Sequence, residues 1–434
     1  MLIRCKISRK LIFDEFFKQR QRINSKAFTR NRALPFAIVF VSVLRNSLKS
    51  LQNVVNELMT DCNRDPVSGS AYSLARYKLK HTAFIELNRK AIVETVYIDG
   101  QYQRFRGMRV LGVDGSKIPL PDSKDVRAEF GTVSYSQGAD SEIQGEHPFA
   151  LASVLYDVLN RVVLTAELGK ADAYEVDLAV QHLEHACPGD LPVMDRNYPS
   201  YRMLAELTRR DLDFVIRCSS SSFSAARKMF TGKGPDTRIV RLHPSAGRLT
   251  QIRELGLPQT LTVRFVRVRL NTGEWEVLVT SLTDEQNFPT EDFKELYYLR
   301  WGVETFYGVL KTRPGLENFT GIKAEAVRQD FFSTLYLSGL ESVLTADAQA
   351  QLDTRETRYP QKVNRAVSFN AVKIQVLSLL LSDDSEGTDQ LFQRLTQLFL
   401  QSPCSVRPDR SPPGKKSSDR RSPAFHKRRK KICY

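Results

Sequence analysis

The sequence predicts an α/β chain, in which a mixed sheet with flanking helices is interrupted by a β-rich insertion and preceded by a helical N-terminal domain. Three observations carry this. Short apolar runs alternate with amphipathic stretches between residues 106 and 218. Three more runs of strand character crowd into 219–289. Apolar residues recur at helical spacing before residue 105 and again after residue 290.

The chain has 434 residues, 41% hydrophobic and 26% charged. That is a globular composition with length for two or three domains. No apolar run reaches the roughly 18 residues of a membrane span. The N-terminus lacks the basic-then-apolar pattern of a signal peptide, so a soluble cytosolic protein with no membrane partner is expected. None of the six cysteines forms a Cys-x-x-Cys pair, which argues for free thiols rather than a disulfide framework or zinc site. The net charge of +15 is concentrated at the two ends. Residues 1–33 hold ten Lys/Arg against two Asp/Glu, residues 403–434 eleven against two, and the body between them carries −2. Basic ends suit a polyanion such as DNA.

Taken in order, residues 34–62 and 71–90 place apolar side chains at helical intervals, giving a helical domain over 1–105. Met108–Val113 reads as a short strand ending in an Asp114-Gly115 turn. Phe149–Tyr156 and Arg161–Glu167 read as a hairpin, and Ala173–Cys187 as an amphipathic helix. Leu191–Met194 is a strand running into Asp195, residues 199–210 are a helix, and Asp213–Cys218 is a strand. This completes the first part of a core at 106–218. The insertion 219–289 contributes strands at Arg238–Leu242, Thr260–Leu270 and Trp275–Leu282, with a hairpin turn at Asn271-Thr272-Gly273. Helices return over 290–402, and the Ser/Pro/Lys/Arg-rich segment 403–434 is expected to be a disordered tail.

Within 290–402, Tyr297 to Lys311 is expected to form one helix. At about 100° per residue, Tyr297, Arg300, Glu304 and Lys311 fall within roughly a 60° arc. Leu296, Leu299, Val303, Phe306, Tyr307 and Leu310 form the apolar stripe beside it. An ordinary solvated helix face would also give this pattern. Trp301 adjoining the polar stripe, and Gly308 lying on it, point instead to close approach of something bulky, because glycine costs a helix about 1 kcal/mol. Asp114 and Asp195 each end a short strand. Taken singly, each is an ordinary turn former. Convergent carboxylates at the ends of neighbouring strands, however, can hold Mg²⁺ or Mn²⁺ through hard oxygen ligands and drive phosphodiester displacement.

Tyr297, Arg300, Glu304 and Lys311, spaced Y-(2)-R-(3)-E-(6)-K, resemble the signature of the IS4-type insertion-sequence transposases. Val113-Asp114-Gly115-Ser116 with Leu120-Pro121-Asp122-Ser123 is similar to that family's first-aspartate region, and Met194-Asp195-Arg196-Asn197-Tyr198 to its second. Phe28-Thr29-Arg30-Asn31-Arg32 with Leu34-Pro35-Phe36 resembles its N-terminal entry. The resemblance covers roughly residues 25–345. It implies a ribonuclease-H-like core and a catalytic, metal-binding triad of Asp114, Asp195 and Glu304. It also implies DNA-phosphate contacts from Tyr297, Arg300 and Lys311, and Mg²⁺ or Mn²⁺ as cofactor. The partners it implies are double-stranded DNA, as terminal inverted repeats and as target, and a second copy of the chain in a synaptic homodimer in the bacterial cytoplasm, at the nucleoid. The N-terminal basic helical domain would recognise the terminal repeats. Asn197 stands where the family usually has glycine, and asparagine tolerates a left-handed backbone.

A DNA nuclease without strand transfer, and a catalytically inactive DNA-binding relative, are the alternatives. Elsewhere, His182 and His185 read as a polar surface pair rather than metal ligands. Arg267 and Arg269 share a strand face that could either track DNA or be plain surface charge. Trp301 suits base stacking and domain packing equally.

Overall fold

The computed structural model describes all residues except 1, 30–32, 46, 48, 137–143, 233, 271–272 and 408–434. Arg30-Asn31-Arg32 of the N-terminal motif, most of the Asn271-Thr272-Gly273 turn and all but the first residues of the basic tail therefore lie outside the described residues. The strands are β1 (Val110–Pro119), β2 (Thr132–Ser136), β3 (Gln144–Asp157), β4 (Val162–Lys170), β5 (Leu191–Met194), β6 (Val215–Arg217), β7 (Thr237–Leu242), β8 (Leu261–Arg269) and β9 (Trp275–Thr280). The chain divides into two compact units. One comprises Gly100–Ser116 and Leu151–Tyr307; the other comprises Met1–Asp99, Lys117–Ala150 and Gly308 onward.

The first of these is a sheet unit, with strands in the order β4–β3–β1–β5–β6–β9–β8–β7. β1 pairs parallel with β5 (Gly112 opposite Val193), and β5 pairs parallel with β6 (Val193 opposite Val215). All four residues of β5 are buried, as befits a short apolar run in the parallel centre of a sheet. β6 then pairs antiparallel with β9, β9 with β8 and β8 with β7. The insertion is therefore an extension of the core sheet rather than a separate body. It also holds two helices absent from the sequence reading, Ser224–Phe230 and Ala246–Glu254.

Several local expectations need correcting. β1 does not stop at Asp114-Gly115 but continues to Pro119; the dipeptide is extended strand, not a turn. Ala173–Cys187 shortens to the helix Glu175–His182 and one 3₁₀ turn. His182 is not a surface residue. It is 1% exposed and shares a hydrogen bond with the Ser153 hydroxyl (3.0 Å). Burial, then the nearby His185, pushes its pKa down to about 4. Arg267 does not face outward either. It is 6% exposed, bonded to Asp236 (Nε to Oδ1 2.8 Å) and stacked on Trp275 at 4.3 Å. Its neighbour Arg269 also lies over Trp275, at 5.7 Å.

The other unit is mainly helical. Residues 1–33, the basic start of the expected helical domain, form helices at Leu2–Phe13 and Glu15–Gln21. The 30-residue helix Ala324–Asp353 buries nearly every side chain from Ala324 to Leu344, and its buried polar residues Gln329, Asp330 and Glu341 are hydrogen-bonded there. It is bound to the helix Gly69–Arg76 by Arg76, whose guanidinium donates to Asp330 (2.7 Å), Gln329 (2.7 Å), Thr320 (2.6 Å) and the Ala326 carbonyl (3.0 Å). Helices from before residue 99 and from after residue 308, which the sequence separates, thus pack together within this unit. β2 pairs antiparallel with the start of β3, and neither β2 nor the helix Lys124–Phe130 before it was foreseen. Cys404–Ser405 pairs with Gln361–Lys362. The five described cysteines are free thiols. Among the described residues, no helix is long and apolar enough to cross a membrane.

Candidate active site

Asp114 lies within β1, Asp195 just beyond β5, and Glu304 in the helix Trp301–Thr312. The parallel pairing of β1 with β5, in which Gly112 stands opposite Val193, brings Asp114 in the middle of β1 beside Asp195 at the end of β5. Asp195 accepts a hydrogen bond from the Asn197 backbone (2.8 Å). This is a local Asx turn that fixes the carboxylate. Asn197 is not among the residues with positive φ, so the position makes no demand for glycine.

The Tyr297–Lys311 segment is not one helix. Asp292–Tyr298 and Trp301–Thr312 are separate helices, joined through Leu299 and Arg300. Across the joint the amides of Leu299, Arg300, Gly302 and Val303 each bond the carbonyl three residues back, at 2.9–3.2 Å. Such a tightened turn advances about 120° per residue and eclipses positions i and i+3. Arg300 therefore falls on the same side as Tyr297, and both are 3% exposed. The apolar stripe is as expected at Leu296, Val303, Phe306, Tyr307 and Leu310, which are buried, while Leu299, at the joint, is only partly buried.

Glycine governs how closely the second helix sits on the sheet. A Cβ on Gly112 would stand 3.0 Å from the Val303 Cβ, and one on Gly302 would stand 3.1 Å from the Val158 Cβ. Gly308, singled out by the sequence for close approach, has nothing within 4 Å of that position. Tyr307 fastens the helix from below. Its hydroxyl donates to the carbonyls of Ala152 (3.0 Å) and Asp114 (3.3 Å), while Phe306 stacks on Tyr156 at 4.3 Å.

The electrostatics converge on Asp114. Burial first, then the negative charges of Glu175, Asp195 and Glu304, push its pKa up to about 7, against the opposing pull of Arg300. Glu304 is the more open carboxylate, 41% exposed, and accepts from the Arg300 guanidinium (2.6 Å). Arg300 lies over Trp301 (4.6 Å) and Tyr297 (5.6 Å). The Arg300 Nε and the Tyr297 hydroxyl are buried without a hydrogen-bond partner among the described residues, a costly state for donors out of water. Lys311, seven residues beyond Glu304 in the same helix, is partly exposed and 3.8 Å from Glu317.

The structure thus brings Asp114, Asp195, Glu304, Arg300 and Tyr297 into one electrostatic neighbourhood. Lys311 belongs to the other unit by its contacts. Among the described residues no three His, Cys, Asp or Glu side chains are drawn together tightly enough to hold a metal ion. The donors are nonetheless hard carboxylate oxygens, the kind Mg²⁺ and Mn²⁺ take, and their mutual repulsion is what a cation relieves. Two residues here were not singled out from the sequence, Glu175 and Tyr307. Glu175 looks locally like an acidic first-turn residue of a helix, and Tyr307 counted only as part of the apolar stripe.

Comparison with known proteins agrees with these motifs. The family model described as the transposase DDE domain matches residues 105–338. The chain is 24% identical over 319 residues to the transposase InsG of insertion sequence element IS4 from Escherichia coli (strain K12), covering 70% of this chain and 69% of that one. Among solved structures it is similar to a piggyBac transposase synaptic complex with hairpin DNA, at a TM-score of 0.42 and 8% identity, covering 90% of this chain and 84% of that one. With the family match spanning more than half its length, the chain belongs to the family of transposases with a DDE domain.

Proposed function

We propose that this transposase cleaves DNA at insertion-sequence ends and transfers the freed strand to target DNA, with Asp114, Asp195 and Glu304 as its catalytic, metal-binding triad. The observation that carries the reading is the convergence of these carboxylates, from two parallel strands and one helix, on a partly buried Asp114 whose pKa is pushed up to about 7. The strand order β4–β3–β1–β5–β6, a hairpin followed by three strands of which the last two pairings are parallel, supports a ribonuclease-H-like core.

Mg²⁺ or Mn²⁺, when bound, would activate the attacking oxygen and neutralise charge on the phosphate. The chain's own side chains do the rest. Asp114 and Asp195 are held rigidly by strand pairing and the Asx turn. Glu304 sits on a helix locked to β1 by Tyr307 and Gly112. The Arg300 Nε and the Tyr297 hydroxyl are buried donors without a partner among the described residues, which suits them to a phosphate oxygen once DNA is bound, and Arg300 orients the Glu304 carboxylate. Lys311 adds a positive charge to the same helix and contacts the DNA backbone. Double-stranded element ends and target DNA are the substrates, bound by a homodimer.

The experiment incubates the protein with labelled element ends and Mg²⁺. End cleavage followed by joined product, both abolished by Glu304→Ala, is expected. Nicking without joining would reduce the function to that of a nuclease, and binding without nicking in either metal would overturn the catalytic reading.

A further inference from the structure

Glu175 opens the helix Glu175–His182, which follows β4, and its carboxylate reaches back across β1. A Cβ built on Gly115 would lie 2.5 Å from its Oε1 and 2.9 Å from its Cδ. The carboxylate therefore occupies the space that any other residue beside Asp114 would fill with its own side chain. Gly115 has no unusual φ, so its glycine is explained by this approach and not by a turn.

The carboxylate is also held on its other side. Tyr198, completely buried, donates its hydroxyl to Glu175 Oε1 at 2.7 Å. Tyr198 closes the Met194–Tyr198 motif that carries Asp195, and its amide bonds the Asp195 carbonyl at 3.4 Å. One element thus supplies both the second aspartate and the group that fixes Glu175. Oε2 receives no hydrogen bond from the described residues, so one oxygen is anchored and the other left available. A carboxylate held beside another carboxylate, with no cationic side chain paired to it, is an electrostatic cost in a folded protein. Structural needs do not account for it, since a glutamine could accept the same hydroxyl without the charge.

We propose that Glu175 is a fourth carboxylate of the metal centre, admitted by Gly115, held by Tyr198 and directed at the cation that Asp114 binds. This rests on the triad reading above and adds a ligand outside it. It also gives the tyrosine of the second-aspartate motif a task, positioning Glu175.

The test is Mn²⁺ binding to the full-length protein without DNA, followed by the electron paramagnetic resonance signal of the free ion. Glu175→Gln keeps the shape and the acceptor for Tyr198 while removing the charge. It should weaken Mn²⁺ about tenfold, in the range that loss of a supporting group at a metal site costs. Tyr198→Phe, which keeps the charge but frees the carboxylate, should weaken it less. Circular dichroism and DNA affinity should match wild type in both. Asp114→Asn serves as the reference. If it loses Mn²⁺ while Glu175→Gln binds as wild type, the proposal for Glu175 falls and the triad stands. If neither variant loses Mn²⁺, both fall. If both lose it yet the wild type never cleaves an element end, Glu175 stands as a ligand and the transposition reading falls.

Discussion

Asp114 is where the cost of assembling the centre is greatest, and this makes the metal-free protein sensitive to pH. Its folded pKa is raised from 3.8 to about 7 by burial and by Glu175, Asp195 and Glu304. A carboxyl shifted upward contributes stability that is fully present below about pH 4 and is lost as pH rises through about 7. With metal chelated, the thermal midpoint should therefore be higher at pH 5.5 than at pH 8, and Asp114→Asn should remove most of the difference. Mg²⁺ should restore stability at pH 8 more than at pH 5.5, because ligand carboxyls must lose their protons to bind it. A chelated protein with the same midpoint at both values would show that Asp114 does not bear this charge burden. Arg300 sets the opposite sign nearby. It is buried and, among the described residues, bonds Glu304 through a charge-assisted hydrogen bond, so it stabilises the most exposed of the three carboxylates.

At the scale of elements, the contact between helix and sheet depends on where glycine is required. Gly112→Ala places a methyl against Val303 and should destabilise by about 1–3 kcal/mol, as overpacking does. Gly308→Ala meets nothing within 4 Å and should stabilise by roughly 0.5–1 kcal/mol, since alanine is the better helix former. Denaturant midpoints moving in opposite directions would verify the contrast. The sequence pointed to Gly308 because a helical wheel shows which residues share a face, not what lies opposite. The partner of Gly112 is a helix nearly two hundred residues away. The same blindness to tertiary partners hid the joint at Leu299 and Arg300, the burial of His182 and Arg267, and the role of Glu175. The candidate residues Asp114, Asp195 and Glu304, by contrast, could be named from the sequence because the spacing of the motifs around them is a local property, although β1 runs on past Asp114 rather than ending there. In the helical unit, Arg76 and Asp330 form a buried pair with side-chain exposures of 5% and 1%. Asp330→Ala leaves the guanidinium buried without its counter-charge, and should cost about 3–5 kcal/mol, measured by urea unfolding.

For the whole molecule, the distribution of charge decides how DNA is held. The ends of the sequence carry +8 and +9 and the body −2, so the body must grip phosphate through individual side chains. Lys311→Ala should weaken DNA binding evenly across sequences and reduce the slope of log affinity against log salt by about one. An unchanged slope would place Lys311 away from the backbone. The α/β class was readable from the alternation of apolar runs and amphipathic stretches. That β9 would join β6, and so fuse the insertion to the core sheet, was not. Strand pairing over more than sixty residues is settled by the sheet that results, and no local pattern encodes it.

The central claim is that Asp114, Asp195 and Glu304 act together by holding a divalent cation. It is tested most directly by exchanging the ligand chemistry at one of them. Asp114→Cys replaces a hard oxygen with a soft sulfur, which Mn²⁺ accepts more readily than Mg²⁺ does. End cleavage by this variant should be lost in Mg²⁺ and partly recovered in Mn²⁺, while wild type cleaves in both. Equal cleavage by the variant and the wild type in Mg²⁺ would contradict the account.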